Sequence, residues 1–201
     1  MLILASKSQT RKTLLDNAGI AFSARPAAVD ERSIEQEVST SGADKKEVAG
    51  ALALAKAQAV SAANPAAVVI GADQTLECGD LEVHKPSTRA DAEAQLRAMA
   101  GRPHQLHAGV ALVKDGVRLW QHVETATLLI KNFTDAELET VLDLEGDSIF
   151  SSVGGYRLEG PSVRLFASIS GDYFTILGLP LLPLIAALAQ FAPETLKPGA
   201  A

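Results

Sequence analysis

Cysteine is nearly absent from this chain. Cys78 is the one thiol in 201 residues, so no intramolecular disulfide can form, and a reducing compartment suits the protein. An excess of positive charge is absent too. The net charge is −6, which excludes broad binding to nucleic acid or to an anionic membrane. Any polyanion has to bind in a local basic pocket. Long hydrophobic runs are missing. The longest, Ile176 to Phe191, is broken by Pro180, Pro183 and Gln190 and falls short of the ~20 residues of a membrane span. It reads as a buried C-terminal helix. No basic segment precedes the four apolar residues near the N-terminus, so no signal peptide is expected and the expected location is cytoplasmic. The four histidines, His84, His104, His107 and His122, lack metal-ligand spacing and read as structural or surface residues. No repeat and no long linker is visible.

What is present suits a packed globular chain: 47% apolar and 21% charged residues. The length fits one domain, or two lobes sharing a core. Leu2-Ile3-Leu4-Ala5 reads as a buried strand, and Ser8 as the N-cap of a helix that Gly19 ends. A strand running into a helix start leaves backbone N–H groups free for an anion. Ser6, Ser8, Arg11 and Lys12 crowd that place, so a phosphate or triphosphate is one candidate guest. Simple helix capping with solvated cations is the other.

Further on, residues 66–72 read as a second buried strand, and 44–63 as a helix opened by the capping pair Asp44 and Glu47. The polar stretch 29–42 reads as a surface loop carrying Asp30-Glu31. Hairpins are expected at Gly79-Asp80 and Asp115-Gly116. Helices are expected over 88–100 and from Thr134 to Leu144. Residues 163–170 alternate like a strand, 172–177 read as another, and the tail from Pro193 reads as loose. Strands mixed with helices and inserted hairpins argue an α/β or α+β fold with a mixed sheet.

Several residues can carry chemistry. Asp73 follows the apolar strand in Gly71-Ala72-Asp73-Gln74-Thr75, and ligand sites in open α/β sheets lie beyond strand carboxyl ends. A carboxylate there binds a divalent cation or deprotonates water, or is satisfied by its own turn. Asp30-Glu31 is a second acidic pair, or a solvated loop. Lys56 sits in an Ala-rich helix as a clamp or as a snorkelling surface lysine. Lys85-Pro86 places a cation on a rigid turn. Cys78 has no paired base in sequence and reads as a small buried hydrophobe. Ser6-x-Ser8 lacks a nucleophile-elbow context, which rejects a serine hydrolase. Acids for metal and water, with cations for phosphates, are what phosphoryl chemistry needs.

Taken in order, these pieces resemble the Maf family of nucleoside triphosphate pyrophosphatases. The match runs from about Leu2 to Leu188 and rests on Leu4-Ala5-Ser6-x-Ser8-x-x-Arg11, Asp30-Glu31, Lys56-Ala57, Gly71-Ala72-Asp73, Lys85-Pro86 and Gly101-Arg102-x-His104. It continues through Thr125, Gly154-Gly155-Tyr156-x-x-Glu159-Gly160, Ile169-x-Gly171-Asp172-Tyr173 and Leu177-Gly178-Leu179-Pro180-Leu181. The resemblance implies hydrolysis of a nucleotide between its α and β phosphates, releasing a monophosphate and pyrophosphate. It implies an elongated, two-lobed α/β fold of the Maf and inosine-triphosphatase kind, with a mixed twisted sheet, flanking helices and a central cleft. One such domain would cover residues 1–191, with a loose tail over 192–201. A divalent cation, Mg²⁺ or Mn²⁺, and a homodimer are also implied. Asp73 matches the proton acceptor, with Lys56 and Lys85 as catalytic cations. Ser6 and Arg11 match phosphate contacts, which Ser8 and Lys12 at the helix start would join. Glu31 and Asp73 would serve the metal.

Thr10, Gln74 and Glu159 fall where the family's subgroups differ. Asp73-Gln74 and Glu159-Gly160 resemble the 7-methyl-GTP-preferring members; Thr10 departs from both patterns and leaves a dTTP/UTP or broad range as the alternative. A non-catalytic nucleotide-binding regulator of septation is the reading from another class. Glu159 has its own chemistry. A carboxylate only accepts hydrogen bonds, and a guanine edge presents two donors where a pyrimidine presents one donor between carbonyls.

Overall fold

The computed structural model describes residues 1–196. Its chain divides into two compact units. The first holds Met1–Thr75, His107–Thr125 and the chain from Asp172 onward; the second holds Leu76–Leu106 and Ala126–Gly171. The elements in order are β1 (Leu2–Leu4), α1 (Gln9–Asn17), β2 (Ser23–Ala24), α2 (Glu31–Thr40), α3 (Lys45–Ala62) and β3 (Val68–Glu77). Then follow α4 (Arg89–Met99), β4 (Pro103–Lys114), β5 (Val117–Ile130), α5 (Asp135–Glu145), β6 (Phe166–Ser170), α6 (Tyr173–Ile176) and α7 (Leu181–Phe191). The strands form a six-stranded sheet in the order β2-β1-β3-β4-β5-β6. Because β1 pairs parallel with β2 and β3 while β5 pairs antiparallel with β6, the sheet is mixed, as expected.

In the first unit, strand alternation sorts the core into two layers. Leu2, Leu4, Ile70 and Leu112 pack with Leu14 and Leu15 of α1 and with Leu181, Leu184 and Leu188 of α7. On the other face Ile3, Val69 and Val113 meet Ala57 and Val60 of α3. That second contact is close. A Cβ added to Gly71 on β3 would lie 2.0 Å from the Ala53 carbonyl oxygen and 2.8 Å from Ala57 Cβ. Glycine on the strand facing alanines one turn apart on the helix lets the two backbones approach. In the second unit, Leu96 and Met99 of α4, Leu138 and Leu142 of α5, and Leu128 and Ile130 of β5 are fully buried. No helix among the described residues is long and apolar enough to cross a membrane.

Local signals placed most elements. Ser8 caps α1, accepting from the Arg11 backbone N–H. Capping boxes at Asp44/Glu47, Thr88/Asp91 and Thr134/Glu137 open α3, α4 and α5. Four expectations are corrected. The stretch 29–42 is not a loop: Asp30 caps α2, and the half-buried Ile34 and Val38 of α2, four apart, give it an apolar side. Residues 172–177 are not a strand, because the Asp172 carboxylate accepts from the backbone N–H groups of Phe174 and Thr175 and starts α6. Only 166–170 of the alternating stretch is a strand; Pro161–Leu165 is a 3-10 turn. The hairpin at Gly79-Asp80 shrinks to one bridge between Cys78 and Leu81, because β3 continues through Asp73 to Glu77. Pro193–Leu196 form a further 3-10 turn with Thr195 buried. The rest of the expected tail, from 197, lies outside the described residues.

Candidate active site

The close approach of α3 to β3 carries Lys56 to Asp73. The Lys56 ammonium donates to Asp73 Oδ1 at 2.5 Å and pairs with Glu31 Oε1, on the first turn of α2, at 2.9 Å. Lys56 and Asp73 keep only 12% and 11% of their side chains exposed, while Glu31 keeps 57%. The triad therefore has a dry end and a wet end. Asp73 lies within β3 rather than beyond its end, so its carboxylate meets α3 in a packed environment. Burial pushes the Asp73 carboxyl above the ordinary carboxylate range; the Lys56 and Arg11 cations oppose this, and Glu31 adds slightly to it. A carboxylate raised by burial and steadied by a lysine suits proton transfer from water at neutral pH.

The β1–α1 turn supplies hydroxyls and a guanidinium. Ser6 is buried, and its Oγ accepts from the Ser8 backbone N–H at 3.2 Å and from Arg11 Nη1 at 3.4 Å. Arg11 reaches further. Its Nη1 donates to the Ala72 carbonyl at 2.8 Å, and its Nε to the Gly178 carbonyl at 2.7 Å. Burial lowers the Arg11 pKa, opposed by the Asp73 and Glu31 charges. Thr10 and Lys12 are half-buried on α1. The fold thus makes two bonded groups, Ser6 with Arg11 and Glu31 with Lys56 and Asp73, which meet where Arg11 holds the carbonyl of Ala72 beside Asp73, and Ser8 holds the helix start. Gln74 behaves differently: its amide nitrogen donates to the Thr175 and Ile176 carbonyls, at 3.0 Å each.

This chain belongs to the Maf-like family. The family model described as "Maf-like protein" matches residues 1–191. A protein named nucleoside triphosphate pyrophosphatase from Nitrobacter winogradskyi is 50% identical over 189 residues, 93% of this chain and 92% of its own. Proteins named 7-methyl-GTP pyrophosphatase from Rhizobium etli and Brucella suis are 48% and 50% identical, each over 94% of this chain and 95% of its own.

The second unit of this Maf-like chain carries Lys85 and Glu159, both exposed. Lys85 precedes the buried Pro86 in the segment leading to α4. Glu159 sits on a loop whose base is tightly held. Glu145, with no side-chain exposure, accepts from Arg157 Nε at 3.0 Å and Nη2 at 2.8 Å. It also accepts from the Ser162 backbone N–H at 2.8 Å and from Ser162 Oγ at 2.7 Å. Nearby, Tyr156 is buried, shares a 2.7 Å hydrogen bond with His104 Nε2 and packs edge-on against Phe166. Sequence reasoning missed Glu145 as the clamp of this loop. No local pattern reports it, because its partners lie 12 and 17 residues away.

Among the described residues no group of three or more His, Cys, Asp or Glu side chains is placed to hold a metal ion. Glu31 and Asp73 supply two carboxylates, and both are engaged by Lys56. That donor set fits Mg²⁺ in its usual mode with nucleotides, in which one or two carboxylates share the ion with substrate phosphates and water. It does not fit a metal caged by the protein alone.

Proposed function

We propose that this chain hydrolyses the α–β phosphoanhydride of a nucleoside triphosphate, with 7-methyl-GTP the preferred substrate. One water molecule is added across the bond, and a nucleoside monophosphate and pyrophosphate leave. The observation that carries the reading is the buried Asp73 carboxylate bonded to Lys56 in a Maf-like chain, at about half identity to proteins named for this reaction. Asp73 takes the proton of the attacking water. Lys56 keeps that carboxylate ionised against its burial. The Arg11 Nη2 group, the Ser6 hydroxyl and the α1 start bind phosphate oxygens, joined by Lys12 and by Lys85. A divalent ion held by Glu31, Asp73 and the substrate would neutralise charge on the phosphates. The same reading expects a cytoplasmic enzyme that forms a homodimer.

Glu159 favours the guanine-type base, since an acceptor-only side chain pairs with two donors on that edge and repels a pyrimidine carbonyl. Purified protein incubated with Mg²⁺ and 7-methyl-GTP, GTP, UTP, CTP or dTTP tests the whole reading. Monophosphate with pyrophosphate, fastest from 7-methyl-GTP, is expected. Release of inorganic phosphate, or no turnover of any nucleotide by folded protein, would overturn it.

A further inference from the structure

One buried carboxylate holds the loop that carries Glu159. Glu145 is the last residue of α5, and its side chain is wholly buried. A negative charge there faces the negative end of the helix dipole, and taking it out of water adds a further cost. Four hydrogen bonds offset that cost, and all four come from one loop. Oε2 accepts two from Arg157, and Oε1 accepts two from Ser162. Arg157 stands just before Glu159 in the chain and Ser162 just after it. Within the loop the Gly160 N–H donates to the Arg157 carbonyl at 3.3 Å, and the Val163 N–H to the Gly160 carbonyl at 3.1 Å.

Gly160 shows how closely the loop lies on that carboxylate. Its φ of −120° suits any residue, so backbone strain does not call for glycine. Space does. A Cβ there would lie 2.5 Å from Glu145 Oε1 and 3.0 Å from Arg157 Nη2. The chain on either side is anchored by the buried Tyr156 and Leu165. Glu159 has no such hold of its own. It is exposed, and among the described residues its side chain makes no hydrogen bond or ion pair. Its carboxylate is placed only by the backbone beneath it.

We infer that Glu145 is a positioning residue for base selection, holding the 157–162 loop so that the Glu159 carboxylate meets the base at a fixed place. The inference rests on Glu159 reading the base. Glu145 is buried and its acceptor sites are used within the loop, so it acts through Glu159. A recognition group has to be held in place by the residues behind it. A hydrogen bond to a charged group is worth about 10–100-fold in binding, and that factor is lost once the loop moves.

Glu145→Gln and Gly160→Ala test it. The first turns amide donors toward the donors of Arg157 or Ser162. The second pushes a methyl group against the carboxylate and leaves every bonding group of the clamp in place. Thermal melts check folding, and assays run below both transitions. Each variant is expected to lower the ratio of kcat/KM for 7-methyl-GTP to that for UTP by about 10–100-fold. The change should appear in KM for 7-methyl-GTP with kcat nearly kept, because uniform binding is what is lost. A merely structural role would lower turnover of both nucleotides alike. Glu159→Gln is measured in parallel, alone and combined with Glu145→Gln. Both act on one contact, so the double variant should match Glu159→Gln alone. A ratio unchanged in Glu145→Gln and Gly160→Ala while Glu159→Gln moves it, or effects that multiply in the double variant, would overturn the inference. Amide hydrogen exchange at Gly160 and Val163 in Glu145→Gln separates the clamp from the reading of Glu159. Faster exchange is expected, and unchanged exchange rejects the clamp whatever the nucleotides show. Faster exchange with no turnover, or with a ratio that even Glu159→Gln leaves unchanged, locates the failure in the reading of Glu159, and the role in base selection falls with it.

Discussion

Replacing Asp73 by Asn should destroy activity without destabilising the fold. Asn keeps the shape and loses the proton-accepting charge. A general base contributes about 10²- to 10⁴-fold, so kcat should fall by that factor, equal to about 2.7–5.4 kcal/mol of barrier at ~1.36 kcal/mol per tenfold. The stability change sets two effects against each other. Removing one partner of a buried ion pair ordinarily costs about 3–5 kcal/mol, because the other charge is stranded. Here Lys56 keeps Glu31 at 2.9 Å, and Glu31 is more than half exposed to water, so the ammonium is not stranded. Burial dominates at Asp73 and raises its pKa. A raised acid favours folding below its unfolded pKa, and that contribution is lost as pH rises through the folded pKa. Wild type therefore carries a penalty at neutral pH that Asp73→Asn removes. Calorimetric unfolding of both proteins between pH 4 and 8 is the assay, alongside pyrophosphate release from 7-methyl-GTP. The variant should match wild type at the acidic end and gain on it as pH rises. A loss above about 1 kcal/mol at neutral pH, seen as a Tm lower by ~2–4 °C, would show that the Lys56 pair outweighs burial. Activity within tenfold of wild type would remove Asp73 from the proton-transfer role.

Other predictions concern the second unit. Glu145→Gln keeps the size of the buried clamp but turns amide donors toward the donors of Arg157 or Ser162; stability should drop by about 3 kcal/mol, a Tm lower by ~6–12 °C. A change under 1 °C in thermal melts would contradict this. Glu159→Gln should shift turnover from 7-methyl-GTP toward UTP, and an unchanged ratio would place Glu159 away from the base. His104 is held neutral, its pKa pushed down to about 4 by burial. Wild-type stability should therefore fall as pH drops from the unfolded value of about 6.5 through the folded one. His104→Gln should flatten that part of the stability curve, and urea unfolding at several pH values reads it directly.

The helix starts and the central hairpin were legible because their causes lie within a few residues. Asp44 with Glu47, Thr88 with Asp91 and Thr134 with Glu137 close capping bonds over three positions. Asp115 and Gly116 take the positive φ values, +50° and +77°, that a tight hairpin needs. Helix α2 was missed because its burial is weak: it buries no residue fully, and polarity hid the Ile34 and Val38 side. Helix α6 was missed because apolar residues around one turn of a buried helix look like a strand until the Asp172 cap is weighed. The alanines of α3 read only as good helix formers, yet Ala53 and Ala57 let the helix approach Gly71 and bring Lys56 to its partner.

The sequence by itself determined the local order of strands, caps and turns, and named the residue types for phosphate and proton chemistry. Only the tertiary structure decided how they are spent. Lys56 could have been a surface lysine, and its bond to Asp73 crosses 17 positions. Arg11 could have been wholly free for phosphate, but it holds the carbonyls of Ala72 and Gly178, 61 and 167 positions away. Such choices depend on which backbone groups the packed core leaves without partners, and a buried carbonyl takes whichever donor the fold brings within 3 Å.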